Sequence, residues 1–124
     1  MRYSGTICAL TKTEYPLIQG GMAWVSDASL AAAVSMAGGL GVIAAGNAPP
    51  DWVEAQVRLL REKTDKPFGL NIMLLSPFVD EVAQVAAQER VAVVTTGAGI
   101  PSKHHMDAWL HAGIKVLPVV GSVA

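Results

Sequence analysis

Charge is scarce in this 124-residue chain: Asp, Glu, Lys and Arg make up 15% of it, and the formal net charge is -1. So small and mixed a charge leaves no electrostatic footprint for nucleic acid. Cysteine occurs once, as Cys8, which rules out a disulfide within the chain and fits a reducing, cytoplasmic setting. Long apolar runs are missing as well. Hydrophobic residues reach 52% of the chain, yet polar or turn residues interrupt every run short of the roughly 18 that a membrane span needs. Met1 to Thr6 leads into no apolar h-region, so no secretory signal is expected. Low-complexity stretches and linkers are absent too.

What the chain does have is glycine at marked places. Pro16-Leu17-Ile18-Gln19 reads as a short buried strand and runs directly into Gly20-Gly21-Met22-Ala23-Trp24. Two adjacent residues without a Cβ let the backbone turn sharply and approach another molecule closely. A plain strand-to-helix turn would read the same, so this pair alone leaves both interpretations open.

The rest of the chain alternates. After a first strand at Leu17 to Gln19, a helix is expected from about Asp27, capped by Ser26 or Asp27 and closed by Gly38-Gly39. Leu30, Ala33, Val34 and Ala37 form its expected buried stripe. A second strand covers Gly41 to Ala45. Pro49-Pro50 opens a helix with Val53, Val57 and Leu60 inward, ending near Lys63 to Asp65 before Pro67. Phe68 to Met73 is the third strand, and Ser76-Pro77 opens a helix with Val79, Val82 and Val85 inward. Val91 to Thr95 is the fourth strand. A helix from about Ser102 to Ala112 buries Met106, Trp109 and Leu110, and Ile114 to Val120 is the fifth strand.

Strands without period-2 alternation are covered on both faces, which points to a parallel sheet. A β-α repeat of this kind either closes into a (β/α)8 barrel or opens into a doubly wound sheet. A barrel takes about 250 residues, so five strands and four helices amount to roughly half of one. The strand ends converge chemically: Gly20 to Ala23, Gly46-Asn47, Asn71, and Thr95 to Gly99 are all small or polar. In a parallel arrangement they share the face where such folds place ligands. Glycine and alanine leave room for a flat ring against backbone, and Asn47 and Asn71 each offer a donor and an acceptor. No loop has Rossmann or P-loop spacing.

Gln19 to Val25, Ala37 to Gly41, Gly46 to Pro49, Pro67 to Leu75 and Thr95 to Gly99 together resemble the flavin-dependent enoyl-acyl-carrier-protein reductase II family. That family belongs with the nitronate monooxygenases, formerly 2-nitropropane dioxygenases, among FMN-binding (β/α)8 barrels. The Gly-Gly-Met-Ala-Trp form and Asn71 to Phe78 are closer to the reductase branch. The resemblance implies an α/β fold that is the N-terminal part of a parallel (β/α)8 TIM barrel. It implies that Gly21, Met22 and Ala23 present backbone to FMN, and that Asn47, Asn71 and Thr96 bond the flavin or line the substrate channel. Hydride would pass from NADH or NADPH through FMN to a trans-2-enoyl thioester on acyl carrier protein or CoA. Nitronate oxidation is the alternative activity. The family's active-site histidine and its phosphate-binding loops lie on later strands, so the catalytic residues are not among these 124, and the chain alone is expected to bind flavin weakly and to be inactive. A non-catalytic half-barrel that self-associates through bare sheet edges, as a homodimer or larger, is a further reading.

Other conspicuous residues have plainer explanations. His104, His105 and His111 read as surface or helix-dipole residues, and no Cys or carboxylate stands at ligand spacing with them for a metal. Cys8 reads as a packing residue, Trp52 and Trp109 as helix packing, and Lys103 as a solvated lysine. Met22 reads as a flavin contact rather than core filler, and Trp24 as a wall of the site.

Overall fold

Each break marked by glycine or proline separates a helix from a strand in the computed structural model, which describes residues 5–123. The helices are α1 (Thr6–Thr11), α2 (Ala28–Met36), α3 (Pro50–Lys63), α4 (Val79–Glu89) and α5 (Lys103–His111). The strands are β1 (Gly41–Gly46), β2 (Phe68–Met73), β3 (Val93–Gly97) and β4 (Lys115–Pro118). They pair in chain order and all in parallel. Parallel neighbours need a crossover, and α3, α4 and α5 supply the three.

The helix starts follow from their first residues. Asp27 caps α2 by accepting from the Leu30 N–H at 3.1 Å, and Ser102 caps α5 by accepting from the His105 N–H at 3.1 Å. Pro50 opens α3, with Asp51 in its first turn and Arg61 and Lys63 in its last, matching the helix dipole.

The sheet has two unlike faces. Ile43, Leu70, Ile72 and Val94 point to the helices and join Val57, Leu60 and Trp109 in the main core. Leu40, Val42 and Val93 form a smaller cluster on the opposite face, with Leu117 packed against it. Cys8 is buried, as expected of a packing residue.

Several expectations need correction. The stripe on α2 is Ala28, Ala31, Ala32 and Ser35, while Leu30 and Val34 are half-buried and Ala33 and Ala37 exposed. The cause is proximity: a Cβ at Gly41 would stand 1.8 Å from the Ala31 carbonyl oxygen. So close a helix admits only small side chains beneath it, and the larger ones move to its flanks. The Ser35 Oγ accepts from the Gly41 N–H at 3.0 Å, tying the helix to the strand.

The first strand shrinks to a bridge between Ile18 and Leu40, flanked by bonds from the Gln19 N–H to the Leu40 carbonyl and from the Leu40 N–H to the Leu17 carbonyl. Beyond it, Gln19 pairs through its side chain. Its carboxamide donates to the Val42 carbonyl at 3.1 Å and accepts from the Val42 N–H at 3.4 Å. The buried Ser26 hydroxyl donates to that same carbonyl and accepts from the Gln19 carboxamide.

On α5, Leu110 is 57% exposed, and the inward arc runs through His105 and Trp109 instead. His105 is therefore no surface histidine. Its Nε2 meets Asp80 Oδ1 at 2.8 Å and its ring stacks on Trp109 at 5.6 Å, while Trp109 Nε1–H donates to the Ala83 carbonyl at 3.1 Å. Strand β3 starts at Val93, two residues after the expected start, and the short helix α1 precedes the first expected strand.

Candidate functional site

The alternation of side chains along a strand and the strand register together put one row, polar at its two middle positions, on the face away from the helices. Ala44, Asn71, Thr95 and Leu117 stand side by side across the four strands. The Thr95 hydroxyl donates to Asn71 Oδ1 at 2.7 Å, which orients the carboxamide. Gly21 lies directly on that carboxamide: a Cβ there would come within 2.8 Å of Asn71 Nδ2. Glycine is what lets the Gly20-Gly21 turn close over Asn71.

Thr96 sits elsewhere. It pairs with Ile72 and follows Val94 on the helix-facing side, where it is 0% exposed and its hydroxyl has no hydrogen-bond partner among the described residues. Shifting by one residue along a strand exchanges its two faces. It is Thr95 that joins Asn71.

Around this row lies a rim of turns at the carboxyl ends of the strands. Met22 and Ala23 are exposed there, and the Met22 carbonyl accepts from the Val25 N–H at 3.0 Å and the Ser26 N–H at 2.8 Å. Asn47 is exposed in the turn after β1. A Cβ at Gly97 would meet nothing within 4 Å, so the end of β3 is open. A groove of about 470 Å³ runs between the turns after β3 and β4, lined by Gly99, Ile100, Val119 and Val120. A larger one, about 770 Å³, lies between α4 and α5 away from this rim.

Among the described residues, four other than glycine have positive φ: Lys12, Trp24, Arg90 and Ala98. Lys12 and Arg90 close helices, where this conformation is common. Trp24, at φ 65°, and Ala98, at φ 62°, stand instead in the rim turns after the first bridge and after β3.

No cluster of three or more His, Cys, Asp or Glu able to hold a metal occurs among the described residues. Lys103 is paired with Asp107 at 2.5 Å on the surface. No helix among the described residues is long and apolar enough to cross a membrane. Sequence reasoning missed Thr95, Gln19 and Ser26. The first is told from Thr96 only by its register opposite Asn71, which the strand pairing supplies, and the other two act through a tertiary contact with Val42 that no local pattern announces.

The fold has known counterparts. FabK from Thermotoga maritima superposes with a TM-score of 0.93 at 46% identity, over 97% of this chain and 38% of that one. The nitroalkane oxidase from Streptomyces ansochromogenes gives 0.83 at 28% identity, over 89% and 42%. These neighbours are TIM barrels, of which this chain covers a portion. A probable nitronate monooxygenase of Staphylococcus saprophyticus is 36% identical over 111 residues. The (3aS,4S,5R,7aS)-5-hydroxy-7a-methyl-1-oxo-octahydro-1H-indene-4-carboxyl-CoA dehydrogenase of Mycobacterium tuberculosis is 31% identical over 122 residues. The chain spans 26% and 34% of the length of these two curated relatives. The nitronate monooxygenase family model matches residues 5–88, more than half of the chain, and the chain belongs to that family.

Proposed function

We propose that this chain forms part of a flavin-dependent oxidoreductase that reduces trans-2-enoyl thioesters, with NADH or NADPH as the reductant. The observation that carries this reading is the 46% identity to FabK, against 28% to the nitroalkane oxidase. The relation to a carboxyl-CoA dehydrogenase supports a thioester as the substrate class.

The residues of the open face suit the ring of FMN. A flat heterocycle needs a side-chain-free approach to backbone and a few fixed polar groups. Gly20, Gly21 and Gly97 provide the approach, and Asn71 the polar group. With Oδ1 engaged by Thr95, the Asn71 Nδ2 is left to donate to an acceptor on the ring edge. When bound, FMN would supply hydride acceptance and delivery. Met22 and Ala23 present backbone at the rim, and Asn47 stands where it can line a substrate channel. The phosphate is another matter. Barrels usually bind it after strands seven and eight, which these four strands do not include, so the chain alone holds flavin weakly and does not turn over.

Nitronate oxidation is the second reading, favoured by the family model and by the staphylococcal relative. The protein carrying this chain, loaded with FMN, separates the two. Oxidation of NADH or NADPH on adding crotonyl-CoA is expected; oxygen uptake on a nitronate without any thioester reduction would overturn the proposal.

A further inference from the structure

A bulky residue held at positive φ is unfavourable, and it persists only where its surroundings over-determine it. Trp24 is such a residue, with φ 65° in the turn that follows Gly21. It is also 61% exposed, so burial of its own ring does not explain the conformation. Among the described residues its ring contact is Trp52, edge to face at a centroid distance of 5.3 Å and an interplanar angle of 64°. Trp52 lies in the first turn of α3, half-buried against the main core.

We infer that the Trp24–Trp52 pair is a clamp that positions the Met22-Ala23 backbone over the strand ends, with Trp24 and Trp52 acting as positioning residues for the ring of the flavin. The geometry gives the clamp its role. The Met22 carbonyl is bound from the Val25 and Ser26 N–H groups, so the turn is folded back on itself around Trp24. On its far side, Ala23 meets Gly46, where a Cβ would stand 3.3 Å from the Ala23 Cβ. The turn thus has a floor at Gly46, a foot at Ser26 and a side brace at Trp52. Without the brace, Trp24 is free to leave the left-handed region and carry Met22 and Ala23 with it. Edge-to-face geometry is the arrangement aromatic pairs prefer, and it is the directional kind of contact that can hold an angle.

This inference rests on the flavin reading for its ligand but not for its mechanics. The test therefore has two readouts on the FMN-binding protein that carries this chain. In the flavin-free form, Trp52→Leu should speed hydrogen exchange at the Val25 and Ser26 amides by roughly three- to tenfold, the factor an aromatic pair of this kind is worth, with amides of β2 unchanged. In titrations with FMN, the same variant should bind more weakly by a similar factor, and Trp52→Phe should recover most of the loss. Unchanged exchange at Val25 and Ser26 overturns the clamp. Faster exchange with unchanged FMN affinity overturns its positioning role. A parent protein that binds no FMN refutes the flavin reading instead, and exchange still decides the clamp.

Discussion

At position 41 the difference between glycine and alanine is the difference between contact and collision. Because the added Cβ would fall 1.8 Å from a backbone carbonyl, no side-chain rotation relieves it, and α2 must move off β1. Gly41→Ala is expected to cost at least about 1–3 kcal/mol, read as a lower denaturation midpoint. A midpoint unchanged from the parent would show that the helix yields freely. Gly21→Ala poses the same problem against a side chain, since Asn71 Nδ2, Cβ and Cγ all lie within 2.9 Å of the added carbon. Turning the carboxamide does not relieve the contact with Asn71 Cβ, which is fixed to the β2 backbone, so the glycine turn must lift; stability should fall by about 1–3 kcal/mol and FMN affinity about tenfold, the loss of one well-placed hydrogen bond. Equal FMN titrations for the two forms would remove Asn71 from the flavin's contacts.

Elements were legible where side-chain size and periodicity agreed. The range of β2 and the inward residues of α3, Val53, Val57 and Leu60, follow directly from pattern and breaker residues. On α2 they disagreed. The sequence offers one arc of larger residues and one of alanines, and preferring the larger arc ignores how near Gly41 lets the helix come. Helix α5 hides its core in another way, because its inward arc includes a histidine, the residue type that composition alone assigns to the surface. His105 is 9% exposed because Asp80 from α4 takes one ring nitrogen and Trp109 takes the ring face. Trp109 is the anchor of this element. It is fully buried with its N–H satisfied, so Trp109→Ala should cost about 3–5 kcal/mol, visible as a drop in Tm. A small shift would mean that α4 and α5 close over the gap. At the site itself, Asn71 could be read from its strand-end position, whereas Thr95 against Thr96 depended on register, which only pairing supplies.

The molecule as a whole carries its apolar surface unevenly. Among the described residues β4 pairs only with β3, and the rim beside it exposes Leu75, Ile100, Val119 and Val120. An unpaired strand next to an apolar patch favours association. The 124-residue chain is accordingly expected to sediment as a dimer or larger at micromolar concentration; a stable monomer would show that the edge is protected in solution. Its visible spectrum after purification should lack stoichiometric FMN, and a full complement would show that phosphate contacts are dispensable.

The carbonyl oxygen of Val42 accepts from Gln19 on one side of the glycine turn and from Ser26 on the other. The Gln19 N–H also donates to the Leu40 carbonyl and the Ala44 N–H to the Ser26 carbonyl, so residues 20–25 form a loop whose two feet stand side by side on residues 40–44. A loop with both ends held on one short stretch of chain moves as a flap hinged along that stretch. Any lifting of the turn would then carry Trp24 off Trp52 while Gln19 and Ser26 stay in place.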